Sequence, residues 1–173
     1  MQRPLPSEYI PATKNYVALV PEGDFLELLE ANKAVVISFF REIPAGKEAH
    51  RYEASKWTIK QMLLHIADAE RVFAFRALTL ARGDVNAEFP NMDEQLFAAN
   101  ADPFARPLAD IVNEFATVRD ASIFLFKHLS EKQLKNEGKL FGYPVTPLGF
   151  GYVLIGHALH HIRIVKERYL LHP

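Results

Sequence analysis

A chain of 173 residues, of which 49% are hydrophobic and 24% charged, is long enough to bury the core of one soluble globular domain. Its formal net charge of −1 and the absence of any block of like charge disfavour a nucleic-acid-binding function. The chain has no cysteine, which excludes disulfides and thiolate ligands and leaves histidine, aspartate and glutamate as ligands for any metal ion.

The first 22 residues are rich in proline, with Pro4, Pro6, Pro11 and Pro21, and this density predicts an extended surface arm rather than a helix. This segment has no apolar core of signal-peptide length, and no run of about 18 apolar residues occurs elsewhere. We therefore expect a cytoplasmic protein without a membrane partner, folded as a single domain over residues 1–173 with the arm at about 1–22.

Two long amphipathic helices are predicted after the arm. In the first, apolar residues recur at helical spacing after Asp24, which is suited to cap its start, and the helix is expected to end before Pro44. The second is expected over about 59–82, with Thr58 as its capping residue and Gly83 as its stop.

A polar, proline-containing connection follows, with a short helix expected around "MDEQLFAAN", before a third long helix at about 108–129. Another turn of helix is predicted behind Ser130, and "EGKLFGYPVTP" is expected to form a loop or a short hairpin. Thr146-Pro147 opens the last helix, at about 148–171. Four long amphipathic helices predict an all-α four-helix bundle, in which the connection between helices two and three is long enough to be a crossover.

The run "GHALHHIRIVKERYL" places three histidines on the last helix. His157 and His161 differ by about 40° around the helix axis, one turn apart, and share its inward face. His160 is turned about 100° from His161 and is expected to be exposed or to lie behind the ligands. His65 lies at the flank of the buried face of the second helix, where a neighbouring helix packs. The geometry therefore allows His65, His157 and His161 to meet around one ion.

Three imidazoles and no further protein ligand would leave coordination positions open, which is typical of a catalytic metal site. Imidazole ligands suit Zn, Ni, Cu or Fe(II) without choosing among them. The alternative is packing, because a single histidine such as His65 is more often a satisfied core residue, and spacing alone leaves the two interpretations about equal. The remaining histidines, His50, His128 and His172, have no partner at a useful spacing and are predicted to lie at the surface.

Two acidic residues of the second helix also have alternative roles. Asp68 could orient the imidazole of His65 or could be a solvated helix residue. Glu70 has Arg71 and Arg76 nearby in sequence, which favours a structural ion pair over a general base.

A second apolar strip on the same helix, made of Leu64, Phe75 and Leu78, indicates either central burial or a dimer contact. We favour the dimer contact and expect a homodimer.

The segments "KWTIKQMLLHIADAERVFAFRALTLARGD" (56–84) and "GHALHHIRIVKERYL" (156–170) together resemble the DinB-like (DinB/YfiT-like) superfamily of metal-dependent enzymes. The arm and the segment "NEFATVRDASIFLFKHLSEKQLKNEG" are also similar to family members, so the resemblance covers roughly residues 3–171. It implies a four-helix bundle with a crossover connection, often dimeric, and a divalent metal ion held by three histidines. Those histidines match His65, His157 and His161 of this sequence.

The resemblance also implies a function. Some relatives use the metal ion to activate a low-molecular-weight thiol for transfer or isomerisation, and others are described as hydrolases; a bound cation lowers the pKa of a coordinated thiol or water. The first hypothesis is therefore a metal-dependent thiol S-transferase or hydrolase that acts on a small molecule, with Zn, Ni or Fe as cofactor and with unknown catalytic residues. The alternative is a non-enzymatic ligand-binding or stress-related helical dimer, with a structural metal ion or none.

Overall fold

Seven helices and one hairpin make up the fold in a computed structural model of the chain, which describes residues 3–101 and 105–170. The strands β1 (Gly138–Leu140) and β2 (Tyr143–Val145) pair in antiparallel fashion, with Leu140 opposite Tyr143. In chain order the helices are α1 (Lys14–Leu19), α2 (Phe25–Arg41), α3 (Ile59–Ala81), α4 (Glu94–Asn100), α5 (Leu108–Lys127), α6 (Glu131–Leu134) and α7 (Pro147–Ile164).

The predicted capping residues begin the long helices. The carboxylate of Asp24 accepts hydrogen bonds from the first turn of α2, and the hydroxyls of Thr58 and Thr146 do the same for α3 and α7. Gly83, with a φ of 97°, follows the end of α3. Beyond Ile164, α7 continues as a π-helical turn, Val165–Leu170, and the predicted end of that helix at residue 171 lies outside the described residues.

Two hydrophobic clusters lie at opposite ends of the bundle and fix the direction of each helix. The first cluster holds the start of α2 and α7 and the end of α3 and α5; the second holds the opposite ends of the same helices. Therefore α3 and α5 run parallel to each other and antiparallel to α2 and α7. The connection between α3 and α5 must return the chain along the bundle, which confirms the predicted four-helix bundle with a crossover.

The N-terminal arm differs from its prediction, because it is not simply extended. It contains two 3₁₀ turns, Pro6–Glu8 and Pro11–Thr13, followed by α1, which packs against α7. The reason is positional: Pro6 and Pro11 each stand at the first position of a turn, where the missing N–H is not needed, and α1 itself contains no proline. The arm is fastened by Glu8, whose carboxylate accepts from Lys135 at 2.9 Å and whose carbonyl accepts from the backbone N–H of Thr146.

Only part of the predicted dimer strip on α3 is available to a partner. Leu64 is buried within the chain, whereas Phe75 and Leu78 are 59% and 37% exposed. The homodimer therefore stays a prediction.

None of the helices within the described ranges is both long enough and apolar enough to span a membrane.

Candidate metal centre

A layer of buried polar side chains separates the two hydrophobic clusters near the middle of the bundle. Each long helix interrupts its apolar positions there: α2 at Asn32, α3 at Glu70, α5 at Arg119 and α7 at His157. A buried polar side chain is costly unless it is paired or hydrogen-bonded, so this layer is where function or specificity is expected.

His65, His157 and His161 meet at one side of this layer, as the sequence predicts. The Nε2 atom of His157 lies 3.0 Å from Nε2 of His65 and 2.9 Å from Nε2 of His161. One ligand atom from each ring falls within 4.8 Å of the others, and all three side chains are buried. The structure thus brings all three predicted residues together, from α3 and α7.

Burial makes these imidazoles neutral. It lowers the pKa of His65 to about 4, and lowers the pKa values of His157 and His161 well below their ordinary value, helped by the neighbouring histidines. Neutral imidazole is the form that ligates a metal ion, so the rings need no further deprotonation at neutral pH.

Hydrogen bonding among the rings accounts for only part of the arrangement. A ring nitrogen offers one in-plane site, either a proton or a lone pair, so Nε2 of His157 can serve two neighbouring nitrogens only by sharing that site. The Nδ1 atoms of His65 and His161 are also buried, with no hydrogen-bond partner among the described residues.

The spacing of His157 from the other two rings fits a shared ion. Two nitrogens bound at 2.0–2.1 Å to one ion lie about 2.9–3.4 Å apart for angles between a right angle and the tetrahedral angle. The observed 2.9 and 3.0 Å fall in that range. No carboxylate of the described residues joins the three nitrogens as a candidate ligand, so the set leaves positions open for water or substrate.

Aromatic rings pack around the triad. The centroid of Trp57 lies 4.7 Å from that of His65, and the centroids of Tyr16 and Phe73 lie 5.4 and 6.0 Å from that of His157. Sequence reasoning did not identify Tyr16 or Trp57 as part of the site.

The position of Tyr16 depends on Gly156. A Cβ atom at Gly156 would lie 2.0 Å from the carbonyl oxygen of Tyr16, so only glycine lets α1 approach α7 this closely. A glycine one residue before a candidate ligand is the signal that could have indicated a second chain segment against this face.

The other candidates occupy different positions. His160 is half-buried against Tyr16, 5.0 Å between centroids, and does not join the triad. Asp68 accepts from Arg71 at 2.9 Å and does not orient His65. His128 is exposed as predicted, His50 is half-buried with its ring 6.2 Å from Tyr169, and His172 lies outside the described residues.

The predicted ion pair of Glu70 exists, but its partner is Arg119 of α5 rather than Arg71 or Arg76. Nε of Arg119 donates to Glu70 at 2.6 Å, and Nη1 donates to the side-chain oxygen of Asn32 on α2. We call these three side chains the Arg119 cluster. Arg71 and Arg76 donate instead to Glu114 and to the carbonyl of Pro90, because their positions on α3 are turned about 100° and 120° around the helix axis from Glu70.

Comparison with known proteins shows which family and which solved structures the chain resembles. A family model described as the DinB superfamily matches residues 28–165. YfiT from Bacillus subtilis, described as "a probable metal-dependent hydrolase with an unusual four-helix bundle topology", aligns with 96% of this chain and 90% of its own, with a TM-score of 0.68 and 16% identity. A DinB-like protein from the same organism, YjoA, aligns with 87% of this chain and 94% of its own, with a TM-score of 0.59 and 18% identity. At these identities the likeness shows the fold alone. A search of the curated proteins found no match.

Proposed function

This chain belongs to the DinB superfamily, and we propose that it is a metal-dependent enzyme whose divalent ion is held by His65, His157 and His161. The observation that carries the proposal is the convergence of three buried Nε2 atoms, which hydrogen bonds among the rings can satisfy only by sharing one site of His157. The description of YfiT as a probable metal-dependent hydrolase supports it.

An ion bound there lowers the pKa of a water or thiol in its open positions and so supplies a nucleophile near neutral pH. The chain itself contributes binding and shielding: the three imidazoles hold the ion, and Tyr16 and Trp57 cover it from two sides. Because the chain has no cysteine, an attacking thiol would have to come from a small molecule. We infer hydrolysis or low-molecular-weight thiol transfer on a small-molecule substrate, with Zn, Ni or Fe as the ion.

Elemental analysis of protein purified without chelator tests the site. We expect about one equivalent of a divalent metal in the wild type and its loss in His65→Ala, His157→Ala and His161→Ala, since two imidazoles alone form a weak site. His160→Ala is the matched control, because it removes an adjacent imidazole of the same helix and should keep the metal. Equal metal content in the wild type and His161→Ala would overturn the ligand assignment.

Activity is tested separately, with a panel of activated esters and amides alone and a panel of electrophiles offered with small thiols. Turnover should disappear after the metal is removed and return when it is added back, in the wild type and in His160→Ala. Turnover that needs a thiol indicates transfer, and turnover without one indicates hydrolysis. A metal-loaded protein that turns over neither panel would favour the non-enzymatic alternative.

A further inference from the structure

A cavity of about 220 Å³ opens beside the candidate metal centre, with His161 and Met62 in its lining. Its other walls come from the loop before α3, from the start of α4 and from the π-helical turn after α7. Because one of the three triad imidazoles faces this space, a molecule bound there reaches the triad directly.

Aromatic side chains give the cavity flat and fixed walls. Trp57 lies between the cavity and His65, and its Nε1 donates to the side chain of Gln95 at 3.2 Å. The Tyr169 hydroxyl donates to the carbonyl of Trp57 at 2.8 Å, and the ring of Tyr52 packs edge-on against that of Tyr169. Rings held in this way suit a flat, apolar molecular body.

The charges in the lining favour an anion. Lys56 and Arg168 are its cations and Glu94 is its carboxylate, which leaves an excess of one positive charge. Within the part of the chain that the structure describes, no carboxylate lies within ion-pair distance of either cation, whereas Arg71 and Arg106 are paired. Glu53 and Glu167 act on Arg168 only from a greater distance.

Arg168 is held ready for a ligand. Its Nη1 donates to the hydroxyl of Tyr52 at 3.2 Å, and its guanidinium lies 5.8 Å from the centre of the Tyr52 ring. These contacts use one of the five guanidinium N–H groups, and a planar guanidinium with free donors matches a carboxylate in bidentate fashion. Arg168 follows His161 by seven residues, which places it on the order of 10 Å further along the helix.

We propose that this cavity binds a small substrate with a flat apolar body and a carboxylate, the body lying against Trp57 and the carboxylate on Arg168 with help from Lys56. The inference deepens the proposed function, since it assigns the substrate class of that site. It rests on the proposed function for the chemistry on the side of the cavity where His161 lies. The binding of the substrate's carboxylate to Arg168 can be measured without metal.

Trp57 makes the test direct, because it is the only tryptophan of the chain and lines the cavity. Its fluorescence is followed while metal-free protein is titrated with 3-phenylpropionate, with the neutral 3-phenylpropanamide and with the cationic 3-phenylpropylamine. We expect the acid to bind at least about tenfold more tightly than the amide, and the amine to bind most weakly. Arg168→Met should weaken the acid about tenfold and leave the amide unchanged.

Arg163→Met is the matched control, because Arg163 lies on the same helix, is exposed and faces Glu167 at 3.8 Å. Equal affinity for acid and amide, an unaltered acid affinity in Arg168→Met, or no response of Trp57 to any probe at millimolar concentration would overturn the proposal. A preference for the acid that appears only after metal is added would also overturn it, since the carboxylate would then sit on the ion. Failure of the wild type to bind metal would remove the proposed function and leave this result in the metal-free protein standing.

Discussion

The histidine triad and the Arg119 cluster share one polar layer of the bundle and differ in charge. In the Arg119 cluster, a buried cation faces the buried carboxylate of Glu70 and ties α2, α3 and α5 together. The triad has only neutral lone pairs that converge from α3 and α7. Both clusters leave some buried polar atoms without hydrogen-bond partners. A cluster that neutralises its own charge can tie helices together, whereas an uncompensated cluster of neutral lone pairs is suited to hold a cation.

The largest effect on stability is expected from disrupting the Arg119 cluster. Arg119→Met leaves the carboxylate of Glu70 buried without a counter-charge and should cost about 3–5 kcal/mol of unfolding free energy in urea. The control is Arg71→Met, whose pairs with Asp68 and Glu114 are 45% exposed on the arginine side and should be worth less than about 1 kcal/mol.

A double variant sharpens the same point. Adding Glu70→Leu to Arg119→Met removes both charges and should recover much of the lost stability, because the buried carboxylate is no longer stranded. If Arg119→Met alone lowered the free energy of unfolding by no more than Arg71→Met does, the Arg119 cluster would not stabilise the bundle.

Acid should destabilise the metal-free protein through the histidine triad. Because burial holds the pKa of His65 near 4, below its unfolded value of 6.5, the unfolded chain takes up a proton first as the pH falls. The stability of the metal-free protein should be full above pH 6.5 and fall toward pH 4, by up to about 3 kcal/mol from His65 alone.

The histidine part of that pH dependence can be isolated. His65→Gln should flatten the decline in urea unfolding measured between pH 6.5 and about 4.5, whereas His128→Gln, on the exposed surface, should not. An identical slope in His65→Gln and the wild type would show that His65 is not held neutral by the fold.

Metal should stabilise the triad side specifically. At a free concentration of about 100 times the dissociation constant, an ion that binds only the folded state adds about 2.7 kcal/mol. We expect this gain, measured by urea unfolding with and without Zn²⁺, in the wild type and in the double variant Glu70→Leu/Arg119→Met. The gain should vanish in His157→Ala. A gain that survived there would place the ion elsewhere.

The smallest effect concerns the arm that covers the triad. A methyl group at residue 156 would lie 2.0 Å from the carbonyl oxygen of Tyr16, so Gly156→Ala must displace α1 and should cost about 1–3 kcal/mol. Trypsin should then cleave faster after Lys14, while the metal content stays at the wild-type level because α3 and α7 supply the ligands. Unchanged cleavage would show that the arm does not depend on this contact.

The histidine triad could be predicted from the sequence, whereas the Arg119 cluster could not. His157 and His161 are related by helical periodicity, and the apolar faces of the two helices allow His65 to meet them. Glu70 and Arg119 are 49 residues apart, and the neighbours of Glu70 in sequence gave the wrong partners. No local pattern encodes which arginine crosses the bundle.

The crossover could be anticipated from the length of one connection, but the arm could not. Its prolines obscured α1, and with it the place of Tyr16 beside His157. The long-range contact at Gly156, rather than any local propensity, decides where that segment lies.

The glycines of α7 have one more consequence. Gly149, Gly151 and Gly156 each lower intrinsic helicity by about 1 kcal/mol relative to alanine, so an isolated peptide of this segment would be mostly unstructured. His157 and His161 then share one face only after the rest of the bundle has docked. In a newly made chain these two imidazoles are not yet arranged to bind an ion, so under the proposed function metal would bind only after the bundle has folded.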